Sequence, residues 1–167
     1  LGGRILIWGG GRRRDGLETG EARKEAVAFM SELCTRIESH ETVICFEPLG
    51  LDDSDFINMS EEAIHVADAV SHPAQQLQLD AKALVENGED SIDTFMRAGA
   101  RLVHFHANEP GLRPLGESGT IPHARFSNFL REIGYARFVS IEQRMFFEGH
   151  AIDDIARSAQ FLREHNG

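Results

Sequence analysis

Three carboxylates and one imidazole carry the chemistry legible in this chain: Glu47, Asp80, His106 and Glu142. Each lies at or near the end of a short alternating run: Val43-Ile44-Cys45-Phe46-Glu47, Gln76-Leu77-Gln78-Leu79-Asp80, Val103-His104-Phe105-His106 and Phe138-Val139-Ser140-Ile141-Glu142. Alternation with period two is the pattern of a strand with one apolar face, so all four groups fall on the polar face near a strand's C-terminal end. Oxygen and nitrogen donors of this kind, if they meet, suit one divalent cation such as Mn²⁺, Mg²⁺, Co²⁺ or Zn²⁺. Without a cation three clustered carboxylates repel, and at least one keeps its proton. The plainer reading of any one of them is a satisfied buried polar group or a rim residue. Four at matched positions favour a common site.

The elements that must position these groups follow from periodicity. Strands are expected at 4–8, 42–47, 75–80, 101–107 and 137–142, and helices at 20–38, 60–71, 91–98, 122–133 and 151–164. Ala22, Ala26, Phe29, Met30, Leu33 and Ile37 form the first helix's apolar stripe. The last helix carries Ile152, Ile155, Ala159, Phe161 and Leu162. Ser60 reads as an N-cap with Glu61 and Glu62 in the first turn. His72-Pro73 stops that helix, and Gly99 suits the C′ position of the next. Residues 81–90 read as a loop. About five βα units without hairpin signals indicate a parallel sheet flanked by helices, in one domain over 1–167.

A doubly wound sheet and part of a (β/α)8 barrel both fit that order. In an open parallel sheet both faces are covered by helices and should be apolar. Here one face carries Glu47, Gln76, Gln78, Asp80, His104, His106, Ser140 and Glu142, which would cost several kcal/mol to bury without partners. A barrel interior opening on a site gives them one destination. A full barrel takes roughly 250 residues, and five of eight units about 156; the chain has 167. The expected fold is an incomplete (β/α)8 TIM-type barrel lacking its first three strands.

Composition narrows the function. The formal charge of −10 argues against a broad nucleic-acid surface. No apolar run of about 18 residues suggests a membrane span, and no N-terminal signal pattern is visible. Cys34 and Cys45 lack metal-type spacing, which points to a reduced, cytoplasmic protein. The chain enters a strand directly after Leu1-Gly2-Gly3, without an initiator Met, so a partial sequence is expected. An open barrel leaves two strand edges unpaired, which calls for the missing N-terminal part or for a second copy.

In this order the segments resemble the xylose isomerase-like (β/α)8 barrels, the sugar-phosphate isomerase/epimerase group that includes ketose 3-epimerases. Gly2-Gly3-Arg4-Ile5-Leu6-Ile7-Trp8-Gly9 matches strand four, Cys45-Phe46-Glu47-Pro48 strand five and Leu77-Gln78-Leu79-Asp80 strand six. His104-Phe105-His106-Ala107-Asn108-Glu109 matches strand seven, and Gly134-Tyr135 with Val139-Ser140-Ile141-Glu142 strand eight. The resemblance implies that Glu47, Asp80, His106 and Glu142 are metal ligands. It further implies that Glu47 and Glu142 act on opposite faces of a ketose or its enediolate, one removing a proton beside the carbonyl and the other returning it. The substrate would be a small sugar or sugar phosphate.

The resemblance also marks departures. Ala83 stands where the epimerases have a His three residues after the strand-six Asp. Arg113 is the nearest counterpart of their strand-seven loop Arg, shifted by a residue. Glu109 matches an acidic position that helps orient the ligand His.

Other groups have two readings. Lys82 holds a substrate oxygen or neutralises the carboxylates. His104 faces the same way as His106 but deeper, as a hydrogen-bonded interior residue or a substrate contact. Arg12, Arg13 and Arg14 form a solvated charge run or a phosphate grip at the mouth. Gly9-Gly10-Gly11 lacks the P-loop and dinucleotide patterns, and Cys45 is a packing residue.

The leading expectation is therefore a metal-dependent isomerase or epimerase. A metal-dependent phosphodiesterase like the apurinic endonucleases is the enzyme alternative, and a non-catalytic barrel fragment the other.

Overall fold

The computed structural model of the chain describes residues 2–146 and 148–166. The expected span 1–167 thus includes Leu1, Phe147 and Gly167, which lie outside the described residues. The alternating runs become five strands: β1 (Ile5–Trp8), β2 (Val43–Phe46), β3 (Gln75–Asp80), β4 (Leu102–Ala107) and β5 (Val139–Ile141). All pairings are parallel, and spatial order follows sequence order. That order decides between the two architectures. A doubly wound sheet reverses its strand order at a switch point, whereas a barrel adds each strand on the same side of the last. The chain forms five-eighths of a (β/α)8 barrel, with helices between the strands.

The helices are α1 (Thr19–Ile37), α2 (Ser60–Val70), α3 (Ala81–Glu86), α4 (Ile92–Ala98), α5 (His123–Glu132) and α6 (Ala151–Asn166). Their apolar stripes meet the outward strand residues in one cluster. Ile44, Phe46, Leu77, Leu79 and Phe105 pack with Met30, Val66, Phe95 and Phe126. Fully burying one such side chain contributes about 1.5–3 kcal/mol, so this outer layer carries the fold and frees the inner face for polar groups. Among the described residues no helix is long and apolar enough to cross a membrane.

Several local expectations are corrected. Residues 81–86 are helical rather than loop, because the Asp80 carboxylate accepts from the Ala83 amide and caps α3 directly at the end of β3. Ser60 is the first residue of α2, not its cap; its hydroxyl and amide bind buried Glu89, while Glu62 reaches back to the amides of Asn58 and Met59. Phe29 is half exposed, its ring edge-on to Trp8. In α6, Ile152 is 85% exposed and Ile155 46%, so that part of the stripe meets no layer. A register shift opposite Leu77 and Gln78 pairs Leu102 with Leu77 and His104 with Gln78, leaving Val103 between them. β1 and β5 are the outer strands of the sheet, and Leu6, Ile7 and Phe138 near them are exposed.

Candidate metal centre

The carboxyl ends of β2, β3, β4 and β5 deliver Glu47, Asp80, His106 and Glu142 to one place. Each offers one ligand atom, and the four atoms lie within 4.8 Å of one another. His106 Nδ1 stands 3.1 Å from Glu47 Oε1, 3.6 Å from Glu142 Oε2 and 3.8 Å from Asp80 Oδ2. Donors about 2.1 Å from one ion are at most about 4.2 Å apart, so the cluster needs only a slight contraction around a cation. Glu47 and Asp80 are buried and His106 and Glu142 half-buried; Glu47, Asp80 and Glu142 line a mouth cavity of about 400 Å³.

The electrostatics favour such an ion. Burial first, then the neighbouring Glu47 charge, push the Asp80 carboxyl up to about 7, although the Ala83 amide opposes the rise. Burial by itself would lower the His106 pKa; the bond to Glu47 and the charges of Glu47, Glu142 and Asp80 outweigh it and raise the pKa. The cluster therefore holds protons in place of positive charge, as three crowded carboxylates must. An O₃N donor set fits the divalent cations expected, and bound cations reverse this local preference for protons.

Three groups that hold the cluster in shape were not singled out from the sequence. Asn108 Nδ2 donates to Asp80 Oδ2 at 2.5 Å and to Glu142 Oε2 at 2.9 Å, while its Oδ1 accepts from the Lys82 amide. Gln78 Nε2 donates to Glu47 Oε1 at 2.7 Å. Gly9 lies so close that a Cβ there would come 1.9 Å from Glu47 Oε2. The signal for Asn108 was available: it is the next inward position after His106. The Gly9-Gly10-Gly11 run is visible in the sequence, but nothing local ties Gly9 to Glu47.

The remaining candidates are placed differently. Lys82 lines the mouth, but its Nζ binds Asp53 at 2.6 Å and lies 3.5 Å from Glu86. His104 is buried under His106, the rings edge-on at 5.2 Å, and burial, then His106, lower its pKa. Among the described residues its Nδ1 has no hydrogen-bond partner. Arg113 turns outward, 3.9 Å from Glu117, and lines a separate cleft with Asp153 and Arg157. Glu109 is fully buried, and among the described residues no hydrogen bond or ion pair joins it to His106. It accepts from the Gly116 amide, the Ser118 hydroxyl and His123 Nε2, tying the loop after β4 to α5. Arg14 binds Asp55 and Thr19. Arg12 is buried and faces main-chain carbonyls. Cys34 and Cys45 are free and buried, and burial raises the Cys45 thiol to about 12, which suits packing. A cleft of about 500 Å³ between α5, β5 and α6 contains none of the four clustered residues.

Comparison with known proteins gives the same architecture. The sequence profile of the xylose isomerase-like TIM barrel family matches residues 1–165. A D-psicose 3-epimerase from Clostridium cellulolyticum H10, solved with D-tagatose, superposes with a TM-score of 0.82 at 20% identity, over 90% of this chain and 58% of its own. A 3-keto-D-glucoside 4-epimerase from E. coli gives 0.83 at 18% identity, over 96% and 63%. The IolI protein, solved with a bound zinc atom, gives 0.78 at 19% identity, over 98% and 63%. The chain thus spans about three-fifths of each of these structures.

Proposed function

We propose, for a chain that belongs to the xylose isomerase-like TIM barrel family, that its carboxyl-edge cluster binds one divalent cation and serves isomerisation or epimerisation of a small sugar or sugar phosphate. The observation carrying this is the meeting of Glu47, Asp80, His106 and Glu142 within 4.8 Å. The similarity to sugar epimerases supports the substrate class. Among the described residues one such four-residue group is gathered, which supports single-cation chemistry over a multi-metal phosphodiesterase.

When bound, the cation polarises a carbonyl and the hydroxyl beside it, making the intervening C–H more acidic. Asp80 and His106 would hold it and would then offer no free proton. Glu47 and Glu142 stand on different strands at the mouth, so that one takes the proton from the carbon and the other returns one. Gln78, bonded to Glu47, and Asn108, bonded to Glu142, keep these carboxylates in fixed orientations. Leu49 and Leu112 line the same mouth and limit water there.

Proton exchange tests the reading. The chain with Mn²⁺ and a panel of ketoses and ketose phosphates in D₂O is expected to place deuterium beside the carbonyl, and EDTA to stop it. A folded, metal-loaded chain that exchanges no proton with any of them would overturn the assignment. The exposed Leu6 and Ile7 on β1 and Phe138 just before β5 support association with a further barrel segment or a second copy; a stable monomer in light scattering would oppose the second copy.

A further inference from the structure

Arg12 belongs to a charge run, yet its guanidinium is neither solvated nor at the mouth. The residue is 5% exposed. Nη1 donates to Trp8 O at 2.5 Å and Gly9 O at 2.6 Å; Nη2 donates to Glu47 O at 2.7 Å and Ile57 O at 3.3 Å; Nε donates to Phe56 O at 3.4 Å. Every one of these acceptors is a main-chain carbonyl. They come from the end of β1, from the residue following β2, and from the loop between β2 and α2. The loop is also fixed from the other side, since Ser54 Oγ donates to Arg12 O at 3.1 Å. The Phe46 ring lies beneath the guanidinium carbon, 5.7 Å from its centroid.

Burying a cation without a carboxylate partner is costly unless its hydrogen bonds are replaced. Five carbonyls supply that replacement, and the planar fork of arginine is the side chain that can address so many at once. Two of those carbonyls bear on the metal centre. One is that of Glu47 itself. The other is that of Gly9, whose α-carbon lies against the Glu47 carboxylate so closely that a Cβ there would displace it. The guanidinium therefore joins the backbone carrying Glu47 to the backbone walling it in.

We infer that Arg12 is a positioning residue for the metal centre: by cross-linking the ends of β1 and β2 through their carbonyls, it fixes where Glu47 presents its carboxylate. This inference rests on the cation-binding reading of the cluster. Lysine keeps the charge but has three hydrogens on one nitrogen, and cannot span carbonyls on both strand ends. Arg13, the exposed neighbour in the run, has no such task.

Mn²⁺ binding to the purified chain, measured by titration calorimetry alongside far-UV circular dichroism, separates the outcomes. The unmodified chain is expected to take up one Mn²⁺. Arg12→Ala is expected to stay folded and bind Mn²⁺ roughly 10- to 100-fold more weakly, the range for lost support of a metal ligand, and added methylguanidinium is expected to restore part of the affinity. Arg12→Lys should fall between, and Arg13→Ala should match the unmodified chain. Fluorescence of Trp8, the single tryptophan, should shift in Arg12→Ala and return with methylguanidinium. A folded Arg12→Ala chain with unchanged Mn²⁺ affinity overturns the role of Arg12 while leaving the metal centre standing. If Arg12→Ala does not fold, Arg12→Lys decides, and full affinity in that variant overturns it. An unmodified chain that binds no Mn²⁺ overturns the cation reading and this inference together.

Discussion

The carboxamide of Asn108 donates to Asp80 Oδ2 at 2.5 Å, with both side chains buried. Because its other hydrogen goes to Glu142 and its oxygen takes the Lys82 amide, all the polar hydrogens and the acceptor of this one amide are committed. Asn108 is thus a spacer between two candidate ligands from strands on either side of β4. Asn108→Leu should keep the volume and remove the spacer, weakening Mn²⁺ binding about 10- to 100-fold. Electron paramagnetic resonance of free Mn²⁺ reads this directly, and unchanged affinity would remove Asn108 from the centre.

Metal-free stability should fall as pH rises. Asp80 moves from its ordinary 3.8 to about 7 in the fold, and His106 is raised above 6.5. Both groups bind protons more tightly folded than unfolded, so the folded chain holds more protons through the interval and loses stability as they leave. For Asp80 the loss runs from about pH 4 to about pH 7; for His106 it continues through the raised imidazole pKa. Thermal melting in EDTA should show the decline, and Asp80→Asn should flatten it. Saturating Mn²⁺ should offset or reverse the slope, since metal uptake requires the deprotonated ligands.

Gly9→Ala should harm the site more than the fold. The added Cβ would meet Glu47 Oε2 at 1.9 Å, so the carboxylate must move from its place beside Gln78 and His106. Overpacking of this kind costs about 1–3 kcal/mol. Mn²⁺ affinity is expected to drop while circular dichroism at room temperature stays native. A variant binding Mn²⁺ as before would show that Glu47 has freedom the close contact denies it.

Glu109→Ala should do the opposite. Its buried carboxylate accepts from Gly116, Ser118 and His123, and removing an acceptor of this kind costs on the order of 3 kcal/mol through the donors left stranded. Urea unfolding should report the loss, with Mn²⁺ affinity kept in the fraction that remains folded. Lost affinity at unchanged stability would instead favour the histidine-orienting role expected from the sequence.

Exchange of the two mouth carboxylates tests the chemistry itself. Glu47→Gln or Glu142→Gln should lower deuterium incorporation beside the ketose carbonyl by about 10²–10⁴-fold, the usual share of a positioned acid or base. Incorporation at the unmodified rate in either variant would exclude that residue from proton transfer.

Local pattern was enough for the architecture and for the four clustered residues. Period-two alternation ending in Glu47, Asp80, His106 and Glu142 assigns a face and an end to each side chain, and parallel strands carry all their C-termini to one edge. Nearest-neighbour information of that kind could not choose partners. That Asn108 spans two carboxylates, that Glu109 serves the loop after β4, and that Arg12 leaves its exposed run to bind five carbonyls depend on the register of strands 25 to 38 residues apart in sequence. The same holds for the exposed Ile152: an apolar stripe shows that a helix has a greasy side, but only packing decides what, if anything, lies against it.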